Sequence, residues 1–439
     1  MSITSSAFSR EGRAERVPPG LYVESSISAP TEAAQMAGGV PAFLALADVD
    51  PALRERSGAP GIVVDRWDSR LWNEAIVPAP GSHLRAAVRG FFANGGKRCV
   101  IFAVPPPADP RTGAGALMRL LEPGGLLDDR SDVDLLCLPD VWSPWVIDEA
   151  RGNLQLSALR HCESMGDRFA LLDGPAVPHP GGNEDAITDL LRMASDLNSS
   201  FGALYTPWIE ADPTWDADRP RTADIAGWRY RDSPFRQSQA ASAALPSWVP
   251  PCGHVAGLIA RIDAKVGAQH APANEILEGV LDTALRLSPT QRGRLNDAGI
   301  NCIHSSVRGR GIRVGGARTL SNQGLWAHVS SARVVIGFKR WLATGMRDLV
   351  FEPQRPQLWD LVRNRLTAHC LEMQRAGALA GGRTGDAFFV KCDGETNPPE
   401  VRDLGCVVAH VGLAPSVPAE FIVVRVTHDG SGSTVSGLS

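Results

Sequence analysis

Arg98-Cys-Val-Ile-Phe-Ala-Val104, entered through Asn94-Gly-Gly96, is the stretch whose reading decides the fold class. Its apolar residues follow one another without alternation, which is the pattern of a strand covered on both faces in a parallel sheet. The same kind of run returns at Val133-Asp-Leu-Leu-Cys-Leu138, at Phe169-Ala-Leu-Leu-Asp173 and, beginning a fourth strand, at Ala203-Leu-Tyr205. Helical stretches at roughly 144–166 and 184–197 separate them. Strands alternating with helices through short connections predict a three-layer α/β unit over about residues 88–205.

Outward from that unit the chain changes character. Residues 1–17 are polar and charged without periodicity and read as an arm. Gly20-Leu-Tyr-Val-Glu24 is fenced by Pro18, Pro19 and Pro30, so it reads as extended rather than helical. Residues 207–247 embed Trp208, Trp215 and Trp228 among Pro, Asp, Arg, Ser and Ala, and read as a surface excursion or linker. After Pro250-Pro251 helices are expected at 254–265, 272–285 and 289–296, the last with Pro289 in its first turn. Further helices at 329–344 and 356–376 flank a strand at Asp348-Leu-Val-Phe351. Phe388-Phe-Val390, Cys406–Val411 and Phe421–Val426 read as antiparallel neighbours, and Asp429-Gly-Ser-Gly-Ser-Thr434 as flexible linker.

Bulk properties bound the function. A chain of 439 residues exceeds one ordinary domain, and 44% hydrophobic with 21% charged residues is globular composition. The net charge of -4 opposes general nucleic-acid binding. Lysine occurs only at 97, 265, 339 and 391, so 44 − 4 = 40 basic residues are arginine, whose fork suits carboxylates at interfaces. The start, Met1-Ser-Ile-Thr-Ser-Ser-Ala-Phe8, has no apolar core of signal-peptide type, and no uncharged apolar stretch of membrane-spanning length occurs. Eight scattered cysteines without a C-x-x-C pair read as reduced thiols.

Motifs for chemistry are sparse. Cys252-Gly-His254 and Cys302-Ile-His304 would each present two ligands to one side if strand-borne, but they lack the tighter pairing of zinc sites. His161-Cys162 and His369-Cys370 are adjacent on expected helices and diverge by about 100°. Gly309-Arg-Gly311 fails the dinucleotide fingerprint because position 314 is Val314, and Lys97 is followed by Arg98 rather than Ser or Thr. Asp128, Asp129, Asp132 and Asp134 lack calcium-loop spacing. No catalytic, cofactor or metal residue is assigned. Charge is more telling: from Pro289 to Asp348 there are ten basic and two acidic residues, 10 − 2 = +8. Such a face meets an acidic partner or is simply solvated, and the scarcity of interleaved aromatics favours protein over nucleic acid.

In chain order, several segments resemble the tail sheath protein family of contractile phage tails and phage-tail-like contractile injection systems. They are Pro19-Gly-Leu-Tyr-Val-Glu24, Phe91–Gly96, Asp167–Pro175, Ser199–Trp208, Val249–Gly257, Ala271–Glu275, Asn296–Asn301, Gly309–Leu320, Val350–Pro353, Phe389–Pro399 and Pro418–Phe421. The chain departs from the family with a longer arm before Pro18, the 207–247 stretch, Cys252 in place of serine, Gly315 in place of tryptophan, and the tail after Val426.

The resemblance implies a multi-domain α/β and α+β sheath protein. An arm at 1–30 precedes an α/β middle domain at 31–206, an insertion at 207–248, a C-terminal α+β core at 249–417 and a C-terminal arm at 418–439. It implies that Leu21, Tyr22, Val23 and Glu24, with Phe421, Ile422, Val423, Val424 and Val426, are strands donated to neighbours. Their acceptor would be a hairpin of Phe388, Phe389, Val390, Val407, Val408 and Val411. An inner tube would face Arg308, Arg310, Arg313, Arg318, Lys339 and Arg340. The implied function is a structural sheath subunit, not an enzyme, needing no cofactor. Its expected partners are further copies in stacked rings, the tube, a baseplate and terminal caps, with neither nucleic acid nor membrane insertion. The expected setting is the bacterial cytoplasm during assembly and a tail or tail-like particle afterwards. The alternatives are a metal- or nucleotide-dependent enzyme on 88–205 and a nucleic-acid binder using the basic segment.

Overall fold

The computed structural model describes residues 38–56, 61–68, 71–72, 75–175, 183–212, 248–305, 311–346, 349, 353, 355–381, 384–403, 405–417, 423–429 and 432–438. Its centre is β1 (Pro41–Val49), nine residues of which only Asp48 is exposed. β2 (Ile62–Val64), β3 (Ile76–Pro78), β4 (Cys99–Val104), β5 (Leu135–Cys137), β6 (Phe169–Asp173) and β7 (Gly202–Thr206) follow. β1 takes β4 on one side and β5 on the other, both parallel, and β5, β6 and β7 continue in parallel. The four strands anticipated from the apolar runs are therefore β4 to β7. The strand they surround went unread, because Pro-Ala-Phe-Leu-Ala-Leu-Ala has no alternation and is rich in good helix formers.

β8 (Ile209–Ala211) and β9 (Trp248–Val249) pair antiparallel and, with β10 (Val280–Thr283), form a small sheet of order β10-β8-β9. The excursion expected over 207–247 is thus shorter, since Trp208 is buried with its indole N–H on the Gly174 carbonyl at 3.0 Å, and Ile209–Ala211 are strand. Residues 213–247 lie outside the described residues. The helix expected at 272–285 is replaced by β10 and a turn: Asn274 adopts φ 59° and Gly279 φ 72°, left-handed values that a helix cannot absorb.

β11 (Ile300–Ser305) then joins β7 in parallel, and β12 (Ile312–Val314) closes that edge antiparallel. The main sheet runs β12-β11-β7-β6-β5-β1-β4-β2, with β3 on the far end of β1. It therefore spans both sides of the 207–248 segment. Gly315, the expected tryptophan position, has no room for a side chain: a Cβ there would meet the His304 ring at 2.7 Å.

Among the described residues the longer helices position the remaining parts: α1 (Leu84–Ala93), α2 (Asp148–Met165), α3 (Asn183–Asp196), α4 (Cys252–Val266), α5 (Pro289–Asp297), α6 (Val329–Gly345) and α7 (Pro356–Arg375). α5 starts on a capping box, Ser288 Oγ accepting from Gln291 N and Gln291 Oε1 accepting from Ser288 N. α2 ends on Gly166 at φ 66°, the left-handed cap that glycine adopts without strain. α6 is shared between two apolar cores. Val329, Ala332 and Ile336 pack into the main core, while Val334, Phe338, Leu342 and Met346 join Leu366, Cys370, Met373 and Phe388 in a second. Among the described residues no helix is long and apolar enough to cross a membrane.

Candidate interlocking site

The second core carries the hairpin anticipated as a strand acceptor. β13 (Phe388–Lys391) pairs antiparallel with β14 (His410–Leu413), from Phe388↔Leu413 to Lys391↔His410. The sheet has two strands among the described residues. Phe388 is buried in the second core, whereas Phe389 is 53% exposed and lies over Gly412, where a Cβ would meet its ring at 2.0 Å. Alternation along one strand thus separates a fold-holding phenylalanine from one presented outward.

The return strand differs from the expected Cys406–Val411. Val407 and Val408 precede it in an irregular segment, and only Val411 of the three expected valines is in the strand. The cause is Asn397, whose Oδ1 accepts from Val408 N at 2.6 Å and whose Nδ2 donates to Val408 O at 3.0 Å. A side-chain amide satisfies the backbone there, so the ladder begins two residues later.

Leu21–Glu24, Phe421 and Ile422 lie outside the described residues. Val423, Val424 and Val426 are in β15 (Val423–Asp429), which pairs antiparallel with β16 (Gly432–Leu438) from Val423↔Leu438 to Asp429↔Gly432. The stretch read as flexible linker is therefore half of a hairpin. The missed signal was Gly430-Ser431, the pair between Asp429 and Gly432 in the sequence, a glycine-first turn pair that linker composition obscured.

Of the basic residues anticipated to face a tube, Arg308 and Arg310 lie outside the described residues. Arg313 donates to Asn274 O at 2.5 Å, and Arg340 donates to the carbonyls of Val133 at 2.6 Å and Asp132 at 3.3 Å. Lys339 sits 5.8 Å from the centre of the Phe201 ring, and burial lowers its pKa despite Asp167 nearby. Arg318 joins the β-bridge to His328. Arg333, also counted in the +8, is buried between Asp134 and Asp263. Much of that charge is spent inside the fold.

The anticipated Cys-x-His pairs do not gather ligands. Cys252 and His254 stand on the first turn of α4 rather than on a strand, so they point to different sides. Cys302 is buried on β11 with its thiol pushed up to about 12 by burial, while His304 Nδ1 faces Ser305 O at 3.0 Å. Among the described residues no group of three His, Cys, Asp or Glu could hold a metal ion. Buried carboxylates do exist. Burial raises Asp173 to about 7 against donation from Cys252 N at the start of α4. Burial raises Asp140 to about 6 against donation from Leu46 N, His83 N and Ser82 Oγ. Both carboxylates fasten backbone segments to one another.

Residues 131–320 match the family described as the phage tail sheath protein central domain. Among solved structures, the chain is similar to a chain of the anti-feeding prophage (AFP) baseplate, at 24% identity and a TM-score of 0.67 over 94% of this chain and 99% of that one. A chain of the PVC sheath complex of an extracellular contractile injection system, in its contracted state, is 25% identical with a TM-score of 0.65, over 95% and 99%. The AFP helical sheath in its contracted state gives 24% and 0.64, over 94% and 100%. No curated protein matches the chain. With the sheath central domain matched over residues 131–320 and the fold of sheath chains along nearly its whole length, this chain is similar to tail sheath proteins of contractile injection systems.

Proposed function

We propose that the protein is a structural subunit that polymerises in stacked rings around an inner tube, its contraction driving the tube through a target envelope. The observation that carries this reading is the fold shared with sheath chains over 94–95% of the sequence, together with the central-domain match. Further copies, the tube, a baseplate and terminal caps are the partners in this reading. Assembly takes place in the bacterial cytoplasm, and the finished particle is a tail or tail-like device.

Connection between subunits runs through the β13–β14 hairpin. A two-stranded hairpin is marginal in water, and further strands add main-chain hydrogen bonds while covering Phe389. Leu21–Glu24 from one neighbour and the segment from Phe421 to Val426 from another are the strands we assign to it. Deleting residues 1–25 is expected to abolish ordered tubes in electron micrographs of the overexpressed protein. Ordered tubes from the truncated chain would remove the N-terminal strand as a required link.

Arg313 and Arg340 hold backbone carbonyls, so reversing their charge tests the fold more than the tube contact. Arg308 and Arg310 carry the tube-facing proposal. Reversing both is expected to impair co-assembly on the tube, more so at low salt. Equal co-assembly at low and high salt would sink it.

A further inference from the structure

The arms proposed to link subunits leave the described body at Gly38 and at Ser416–Val417, and both roots are tied to the start of α6. At the first root, Gly39 N donates to both oxygens of Asp134 at 2.8 and 2.9 Å, and Val40 N donates to Oδ1 at 2.7 Å. Gly39 has φ 88°, and a Cβ on it would lie 2.6 Å from the Ala260 Cα, so this root is pressed onto α4. Asp134 Oδ2 accepts from Arg333 at 3.0 Å, and the same guanidinium donates to Asp263 of α4 at 2.8 and 2.6 Å. The Arg333, Asp134 and Asp263 side chains are 5%, 6% and 2% exposed.

At the second root, Ser331 Oγ donates to Ser416 O at 2.9 Å. Ser331 is buried, and Val417 immediately beyond is 48% exposed. Residues two apart on a helix diverge by about 200°. Ser331 and Arg333 therefore reach to opposite sides of α6, one to each root. The same helix is the element shared by the two cores.

We propose that Arg333 and Ser331 are positioning residues that fasten both arm roots to α6, so that a displacement of one arm is delivered to the other through this helix. This rests on the reading of the two arms as intersubunit links. A buried ion pair answers the mechanical need, because breaking it strands a buried carboxylate, whereas sliding along a greasy surface meets little resistance.

Amide hydrogen exchange by mass spectrometry on the full, unassembled chain tests it. Arg333→Lys keeps the charge and loses the fork. It is expected to speed exchange at Gly39 and Val40 on the order of tenfold, and to speed exchange in peptides covering 412–417 as well. Coupling is reciprocal, so Ser331→Ala should loosen Gly39 and Val40 in turn. Peptides from β6 and β7 should be unchanged in both variants. Acceleration confined to the mutated root overturns the coupling, and acceleration spread over β6 and β7 reduces it to general destabilisation. If Arg333→Lys fails to fold, Asp263→Asn breaks the fork from the other side, leaves Arg333 paired with Asp134, and carries the same comparison. Tube formation by the wild type tests the sheath reading separately, so either idea can fail without the other.

Discussion

Replacing Gly253 by alanine should cost more than any ordinary surface or helix substitution, because α1 and α4 touch backbone to backbone. A Cβ on Gly253 would lie 2.1 Å from the Ala87 carbonyl oxygen and 2.5 Å from the Ala87 Cα. Ordinary van der Waals contact begins at about 3.4 Å, so the added methyl overlaps by about 1.3 Å with atoms that no rotamer change can move. The helices must part, and the separation spreads to Gly257, whose own Cβ would meet Phe91 O at 2.2 Å, and to Gly90 beneath the His254 ring. Overpacking of this kind costs about 1–3 kcal/mol, and contact against backbone at two levels places this site near 3 kcal/mol. Even in a core of 200 residues that lowers the melting temperature by roughly 6 °C or more. Gly152 on α2 is the control. A Cβ there meets nothing within 4 Å, so Gly152→Ala should stabilise by about 0.5–1 kcal/mol. Calorimetric melts of both variants decide it. A Gly253→Ala protein melting within a degree of wild type refutes the claim that these helices are held at backbone distance.

Two other outcomes follow from burial. Asp173, raised to about 7 by burial from an ordinary 3.8, holds its proton in the fold at pH values where the unfolded chain has lost it, so its contribution to stability falls as pH rises from about 4 to 7. At about 1.4 kcal/mol per pH unit the ceiling is about 4 kcal/mol, and Asp173→Asn should therefore gain on wild type in urea midpoints from pH 4.5 to pH 8; a flat difference across that range contradicts the assignment. Phe389→Ser should weaken tube assembly while leaving the melt of the unassembled chain nearly unchanged, and Phe388→Ala should cost about 3 kcal/mol by melting, since only Phe388 is buried. Equal melts for these two variants would show that the hairpin faces are misread.

Legibility followed whether neighbouring residues or distant ones set the conformation. β4 to β7 and helices α2, α3, α5, α6 and α7 were readable because apolar runs, caps and periodicity are local. β1 was not, since a strand buried on both faces and rich in Ala and Leu carries neither alternation nor strong strand propensity. Val407 and Val408 carry strand-forming side chains, yet Asn397, 408 − 397 = 11 residues before Val408, takes over both backbone groups of Val408. Gly38-Gly39, inside the expected 31–206 domain, carried no reading of its own, because its partners Asp134, Asp263 and Arg333 are scattered over about 200 residues. The +8 segment was a correct count, but a count does not say that Arg333 is enclosed by carboxylates or that Arg340 reaches carbonyls. The resemblance of ordered segments to sheath proteins held where single motifs carried nothing.

Buried carboxylates are the kind of group that marks active sites, and the surroundings of those in this chain argue for another use. Asp173 takes Cys252 N at the start of α4, Asp140 joins β1 to the turn before α1, and Asp134 joins the root of β1 to α6 through Arg333. Each carboxylate bridges elements far apart in sequence, and the hydrogen bonds it accepts come from backbone N–H groups, the Ser82 hydroxyl or the Arg333 guanidinium. A subunit that transmits force between neighbours needs a body that does not shear, and closely packed glycine crossings with buried carboxylate staples resist shear better than apolar contact alone. In this arrangement the hairpin of β13 and β14 is held by the second core, the two arm roots are held by α6, and α6 belongs to both cores. A pull on either arm therefore reaches the same helix, through Arg333 at one root and Ser331 at the other.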